Sequence, residues 1–352
     1  MIRYLTVNAK YCCGIDLHKE KMYACIMDKA GKVHLHRNMK TDFETFLLHI
    51  EPFLPDLIVG VESMFCYYWL FDKCTEAGIP FYLGHAYYMK AVHGGKTKND
   101  RLDSQQIANL MRTNYFPLAY AYPKQMRGTR DLLRRRSRYV YQRGEGYRHI
   151  KNVFAQQGIA DITLTQLKNQ ENRRKLIYRF KEPDLQHIIE ADFDFIEFST
   201  EIILKLERQI RRQAKIHDRK AFNLLMTIPG VGEILALTIL YEMHKLNRFK
   251  SVQQFSSYCR LVRCERESAG KRSKGGNPKI GNPYLKYAFT QIIIVAQRSS
   301  PVIDKYYQRL VSKFGKQRAR TIIAHKFAIA VYFMLKNGKG FDENQFVQTT
   351  MK

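Results

Sequence analysis

Four carboxylates stand where they could serve phosphoryl chemistry: Asp16 in "GIDLHK", Glu62 in "VGVES", and Asp100 and Asp103 in "TKNDRLDSQQIANLMRT". The last pair is spaced three apart, so on a helix both point the same way and repel by about 0.2–0.5 kcal/mol. Something positive belongs between them. Asp16 and Glu62 each close an apolar run. Strands ending at one edge, with a helix laid across it, would bring all four acids to a shared centre, and hard divalent cations take oxygen ligands of this kind. Two such ions about 3.5–4 Å apart can activate an attacking oxygen and stabilise a leaving one. The expected partner is Mg²⁺ (or Mn²⁺). Any one of these acids, taken singly, reads equally well as an ordinary surface residue.

The elements that would position them are legible as strands and helices. "YCCGID", "MYACIMD" and "KVHLHRN" alternate as three short strands, with "KAGK" as the turn between the second and third. An amphipathic stretch, "DFETFLLHIEPFL", follows, then a buried strand "LIVGVES", a helix "YYWLFDKCTEAG" and a strand "PFYLGH". A helix bearing Asp100 and Asp103 comes next. This order over residues 1–123 is expected of an RNase H-like (RuvC-like) α/β domain, although other α/β folds share much of it.

The charge of the chain lies elsewhere. Residues 1–123 carry 14 Lys and Arg against 12 Asp and Glu, so nearly all of the formal charge of +27 falls in residues 124–352. So basic a protein binds a polyanion, nucleic acid before membrane, through phosphate neutralisation. No amino-terminal stretch has the order of a signal peptide. The apolar run "FAIAVYFML" (Phe327–Leu335) is far short of the roughly 20 residues of a membrane span. The seven cysteines show no CxxC pair and no zinc spacing, so neither zinc nor disulfides are expected. These features predict a cytoplasmic protein with no membrane partner.

Lys124 to Phe154 reads as a basic helix in which Arg134, Arg135, Arg136 and Arg138 are interleaved with Tyr139 and Tyr141. This suits phosphate contacts and stacking, or simply a solvated charged face. Ile189, Ile196, Ile203 and Ile210 recur every seven residues. That seam predicts either a dimeric coiled coil or helix-on-helix packing within the chain. "PGVG", between two apolar helical stretches, reads as a helix-hairpin-helix turn able to hold a phosphate, or as a plain connection. In "CERESAGKRSKGGNPKIGNPYLK" glycines alternate with Lys271, Arg272, Lys274 and Lys279, allowing close backbone approach to an anion. No ATP-binding motif occurs there. The fold class expected is α/β plus α: an RNase H-like domain (1–123), a basic helical, coiled-coil region (124–215), and a mainly helical C-terminal domain (216–352).

"GIDLHK", "VGVES" and "KNDRLDSQQIANLMR", followed by "TIPGVGEILALTIL" and "ESAGKRSKGGNPKIGNPYLK", resemble in order the DEDD-class insertion-sequence transposases of the IS110 family, described as bridge-RNA-guided recombinases. The similarity covers roughly residues 11–123 and 220–340. It implies that Asp16, Glu62, Asp100 and Asp103 are the metal ligands of a RuvC-like domain. It also implies a catalytic serine in the C-terminal domain, which falls on Ser268, with Ser273 in the same loop as the other candidate. Ser268 would attack a DNA phosphodiester and leave a transient phosphoserine link, while Arg266, Lys271 and Arg272 offset phosphate charge. The resemblance further implies donor and target DNA, a guide (bridge) RNA, and a homo-oligomer, a dimer assembling to a tetramer, in which metal site and serine meet across protomers. Its setting would be the nucleoid of a prokaryotic cell. The chain has Leu17-His18 after the first acid and Asn99 and Leu102 around the acidic pair, where the family more often has other residues. His18 is read as an incidental polar residue, since hard-metal sites prefer oxygen.

Two other functions fit the same residues. A RuvC-like metal-dependent endonuclease or junction resolvase would hydrolyse DNA without a covalent link, leaving Ser268 as a phosphate contact. A non-catalytic nucleic-acid-binding protein would use the charge and the tyrosines alone. A tyrosine recombinase is conceivable from the 22 tyrosines, but its Arg/His framework is not identifiable.

Overall fold

The computed structural model describes residues 3–92, 99–214, 216–262, 265–268, 271–274 and 280–348, with the backbone alone at 91–92, 265–268 and 271–274. The chain divides into two compact units, Met1–Gln125 and Met126–Lys352.

The first unit is built on a five-stranded mixed sheet in the order β3-β2-β1-β4-β5. The strands are β1 (Tyr11–Leu17), β2 (Lys21–Asp28), β3 (Val33–Lys40), β4 (Leu57–Glu62) and β5 (Phe81–Gly84). β2 is antiparallel to β1 and β3, whereas β1, β4 and β5 run parallel. Helices α1 (Phe43–Ile50) and α2 (Tyr68–Glu76) supply the crossovers, and α3 (Ala86–Val92) and α4 (Asp100–Arg112) follow β5. This mixed α/β order is consistent with the expected RNase H-like domain.

β1 is central and buried on both faces, as its near-continuous apolar run requires. Its residues sort by the two-residue period of a strand. Cys13, Ile15 and Leu17 join the core that includes Phe46 of α1 and Leu70 of α2. Cys12 joins Ile107, Leu110 and Met111 of α4. Gly14 and Gly60, paired across β1 and β4, face α4 as well. A Cβ on Gly14 would sit 2.3 Å from the backbone nitrogen of Ala108 and 2.4 Å from the carbonyl of Ser104. A Cβ on Gly60 would meet the Met111 sulfur at 2.2 Å. α4 therefore lies directly on the backbone of the two central strands.

In the second unit the long helices α5 (Lys124–Gln156) and α8 (Pro183–Gln213) form an antiparallel pair, with α6 (Leu164–Lys168) and α7 (Gln170–Ile177) between them in sequence. Cross-links recur along the pair: Arg136 to Glu207 at 2.8 Å, Arg143 Nη1 to Thr200 Oγ1 at 3.2 Å, and His149 Nδ1 to Asp192 Oδ2 at 2.5 Å. All four isoleucines of the heptad are buried. Ile189 and Ile196 share a cluster with Ile150, Val153 and Phe154 of α5, and Ile210 another with Met126 and Leu133. This seam is thus helix-on-helix packing within one chain, which resolves the alternative left open by its spacing.

The rest of the unit packs α9 (Arg219–Met226), α10 (Glu233–Met243), α11 (Val252–Tyr258), α12 (Pro283–Ser299), α13 (Pro301–Phe314), α14 (Lys316–Asn337) and α15 (Glu343–Gln348), with a two-stranded ribbon, β6 (Glu265–Ser268) and β7 (Lys271–Lys274). Residues 236–243 of α10 are all buried, as expected of a helix apolar on every face. "FAIAVYFML" lies in α14, and among the described residues no helix is long and apolar enough to cross a membrane. Cys12, Cys13, Cys25, Cys66, Cys74 and Cys259 are free thiols. Burial pushes the Cys74 thiol up to about 12. Cys264 lies outside the described residues.

Because the atoms facing Gly14 are helix backbone, Gly14→Ala is expected to destabilise the first unit by about 3 kcal/mol or more. Gly60→Ala meets the flexible end of Met111 and should cost about 1 kcal/mol. Urea unfolding of the two variants checks this; equal midpoints would contradict the packing described.

Candidate active site

The pairing of β1 with β4 runs to Ile15 opposite Val61. One step further places Asp16 level with Glu62 at the carboxyl ends of both strands. Each lies two residues beyond a glycine that faces α4, so both carboxylates belong to the face α4 covers. α4 starts at this same edge. Asn99 caps it, its side chain accepting from the Arg101 N–H at 3.0 Å. Asp100 and Asp103 fall in the first turn, where the helix end favours negative charge. His36 of β3 holds that turn: its Nε2 is 2.9 Å from the Arg101 carbonyl and 3.3 Å from Ser104 Oγ.

Asp16 is 8% exposed. His18 Nε2 lies within hydrogen-bond distance of Asp16 Oδ2, at 3.1 Å, and 3.6 Å from Asp100 Oδ1. The ligand atoms of Asp16, His18 and Asp100 all lie within 4.8 Å of one another. Burial pushes the Asp16 carboxyl above its ordinary value; His18 pulls it down, and the charges of Asp100 and Asp103 push it up again. A desolvated carboxylate facing two more carboxylates is a set of oxygen donors in need of a cation, so these residues fit a divalent metal ion. Asp103 belongs to the same electrostatic cluster but stands outside the tightest group, as does Glu62, which shares Asp16's level on the neighbouring strand. His18, read from sequence as incidental, instead sits between Asp16 and Asp100. The signal was available: a spacing of two at a strand end puts both side chains on one face.

In the second unit the arginines of α5 divide into two kinds. Arg134 grips Glu242 of α10 through two hydrogen bonds, of 2.5 and 2.9 Å, and its guanidinium lies 4.4 Å from the Tyr284 ring centre. Arg136 is bound by Glu207. Both were expected to contact phosphate, yet both are committed to carboxylates inside the fold. Arg135 and Arg138 are exposed. Arg130, buried, also reaches Glu242 at 3.1 Å, and Asn282 donates to the same carboxylate at 2.7 Å. Burial raises the Glu242 carboxyl, but the Arg134 hydrogen bonds, the charges of Arg130 and Arg134, and Asn282 outweigh it, so Glu242 titrates below the usual range. The sequence signal for this node is a lone acid in the otherwise apolar "ILALTILYEM", which must find partners when buried.

Asn282 also caps α12, accepting from the Tyr284 and Leu285 N–H groups. It closes the stretch that carries Ser268. Its own N–H bonds to the Tyr258 carbonyl at 2.6 Å, and Arg260 Nε donates to the Gly281 carbonyl at 3.0 Å. The two ends of the basic, glycine-rich stretch are therefore fastened together beside Glu242. Of Arg266, Ser268, Lys271, Arg272, Ser273 and Lys274 the structure describes the backbone, in which Ser268 pairs with Lys271. Their side chains, and Lys279 entirely, lie outside the described residues. In "PGVG", Gly230 has φ +72° and a Cβ there would meet the Val295 carbonyl at 2.6 Å. That glycine serves a helix connection packed on α12.

The mixed sheet gathers acids at its carboxyl edge in an arrangement able to hold a divalent cation, in a chain whose second unit is helical and basic. Residues 13–157 match the DEDD-type IS110 transposase model, and residues 222–308 match the model described as "Transposase IS116/IS110/IS902 family". The chain is 21% identical over 331 residues to the transposase for insertion sequence element IS1111A of Coxiella burnetii, covering 92% of this chain and 88% of that one. Two models of one transposase family, matching separate stretches, and a relative aligned over nearly the whole chain together support an IS110-type transposase, an enzyme that cleaves DNA and transfers its strands. The non-catalytic reading of its charge is set aside.

Two consequences are measurable. The folded state holds the Asp16 proton more tightly than the unfolded chain, so ionised Asp16 costs stability, increasingly as pH rises through its raised value. Asp16→Asn should therefore melt no lower than the parent in metal-free neutral buffer, while strand transfer falls about a hundredfold or more; a drop of several degrees would contradict the electrostatics. Glu242 has the opposite sign: its contribution is present above the ordinary glutamate value and lost as pH falls through the lowered one. Glu242→Ala, which strands buried Arg130, should cost about 3–5 kcal/mol at neutral pH and less in acid, read by denaturant unfolding across pH.

Proposed function

We propose that this transposase is an RNA-guided recombinase in which Ser268 is the nucleophile and Asp16, Glu62, Asp100 and Asp103 hold Mg²⁺ or Mn²⁺. The carrying observation is the carboxylate edge under α4, in a chain whose residues 13–157 and 222–308 match transposase models. A bound divalent cation would supply charge neutralisation at the phosphate under attack. The Ser268 Oγ–P bond forms as the P–O bond to the departing strand breaks, and the phosphoserine ester keeps the bond energy until an incoming strand hydroxyl displaces the serine. Arg266, Lys271 and Arg272 offset the phosphate charge, with Lys274 and Lys279 on the flanking backbone. Support for the serine is its place in a basic, glycine-rich stretch whose ends are fastened by Tyr258, Arg260 and Asn282.

Guide RNA pairing chooses donor and target DNA while the protein holds backbone and shape. The excess positive charge of residues 124–352 supports this division. Residues 124–215 form the region that holds RNA, through Arg135 and Arg138 among others, and that pairs protomers into a dimer and then a tetramer. Support for the pairing is a second apolar stripe on α8: Ile188, Phe195 and Phe198, spaced by seven and three residues, are exposed beside the buried isoleucine seam. The three regions 1–123, 124–215 and 216–352 are taken as metal-binding, RNA-holding and serine-bearing parts. The enzyme would act in the cytoplasm, on the nucleoid.

The test incubates purified protein with the RNA flanking its element, labelled donor and target DNA, and Mg²⁺ or Mn²⁺, and resolves products on a denaturing gel. A protein–DNA adduct present in the parent and absent in Ser268→Ala is expected. Cleavage without an adduct in either protein would replace this reading with the hydrolytic endonuclease. Specific recombination by RNA-free protein would remove the guide.

A further inference from the structure

The tight cluster at the sheet edge holds a nitrogen as well as oxygens. We propose that His18 Nε2 is a ligand of the same cation as Asp16 and Asp100, and that its imidazole makes the site prefer Mn²⁺ to Mg²⁺. This rests on the reading of the carboxylate edge as the metal site.

Geometry is the first support. Two ligands about 2.1–2.2 Å from one ion, at right angles to each other, lie about 3 Å apart. His18 Nε2 is 3.1 Å from Asp16 Oδ2 and 3.6 Å from Asp100 Oδ1, close to that spacing before any adjustment. The backbone that carries His18 is fixed: its N–H bonds to the Lys21 carbonyl at 3.0 Å, and its carbonyl accepts from Thr41 Oγ1 at 3.1 Å. The side chain itself is 50% exposed, so a small rotation can bring the ring to an ion without disturbing the core. Ligation uses the Nε2 lone pair and leaves the ring proton on Nδ1, the neutral form in which histidine binds metals.

Chemistry sets the preference. Mg²⁺ demands near-ideal octahedral oxygen coordination, whereas an imidazole ligand favours first-row transition ions. Among those ions, Mn²⁺ is the one that carboxylate oxygens suit, as they suit Mg²⁺. One nitrogen among carboxylates therefore shifts the balance from Mg²⁺ towards Mn²⁺ without turning the site into a zinc site.

The full-length protein, labelled with ¹⁵N-histidine, is titrated with Mn²⁺ and followed by loss of the free-ion electron paramagnetic resonance signal, with Mg²⁺ as competitor. Pulsed measurements then read nitrogen coupling to the bound ion. The parent should bind Mn²⁺ at least about tenfold more tightly than Mg²⁺ and show histidine coupling. His18→Ala, at a half-exposed position, should lose the coupling and weaken Mn²⁺ by about 10–100-fold, with Mg²⁺ affinity changed less than about threefold. Asp16→Asn should weaken both ions. If Asp16→Asn weakens Mn²⁺ but His18→Ala does not, or the parent shows no nitrogen coupling, His18 is not a ligand and the carboxylate site stands without it. If Asp16→Asn leaves Mn²⁺ binding unchanged, the reading of the edge as a metal site fails, and the role of His18 with it.

Discussion

The contact between α4 and the glycine pair Gly14–Gly60 governs the first unit, because a helix can deliver its first turn to a strand end only if nothing props it away. With no side chain on either glycine, the Ser104–Ala108 backbone lies on β1. The first turn then arrives level with Asp16, and three carboxylates enter one electrostatic cluster. Their repulsion is a cost of the ion-free fold, offset in part by His18, and it is what makes the edge receptive to a cation. Buried apolar packing on both faces of β1 is the scaffold that sustains this arrangement.

The second unit solves a different problem, that of keeping a strongly basic chain folded. Its answer is to spend some arginines internally. Arg130 and Arg134 converge on Glu242, and Arg136 on Glu207, so removing either acid would leave cationic groups desolvated, which costs far more than the intact pair contributes. The same Glu242 carboxylate receives Asn282, which starts α12 and closes the serine-bearing stretch. Internally paired and solvent-exposed arginines are therefore distinct populations within one helix.

The sheet was legible because its strands alternate or run apolar between turn signals, and β1 to β5 fall where those patterns place them. The acid edge was legible in part: Asp16, Asp100 and Asp103 are brought together, and Glu62 shares the level of Asp16. His18 was not, because hard-metal sites favour oxygen, whereas the two-residue period of a strand is what sets its ring beside Asp16. The arginine run illustrates the other limit. Whether Arg134 meets phosphate or carboxylate depends on an acid 108 residues away, and no local pattern reports contacts of that separation. The isoleucine heptad marked a packed seam but not its partner, since a period specifies a face and not what covers it. α6, α7 and α13 carried no motif and were not anticipated.

The α5–α8 pair has an architectural consequence. Arg136 and Arg143 on one helix, and Glu207 and Thr200 on the other, are each seven residues apart, so these two cross-links share the period of the isoleucine seam, while His149–Asp192, six and eight residues further along, departs from it. Adding one heptad to both helices would preserve every facing partner and carry the tip, residues 157–182, outward by about 10.5 Å. The hairpin is thus a spacer of adjustable length: related chains could differ in reach by whole heptads while leaving both ends of the pair unchanged.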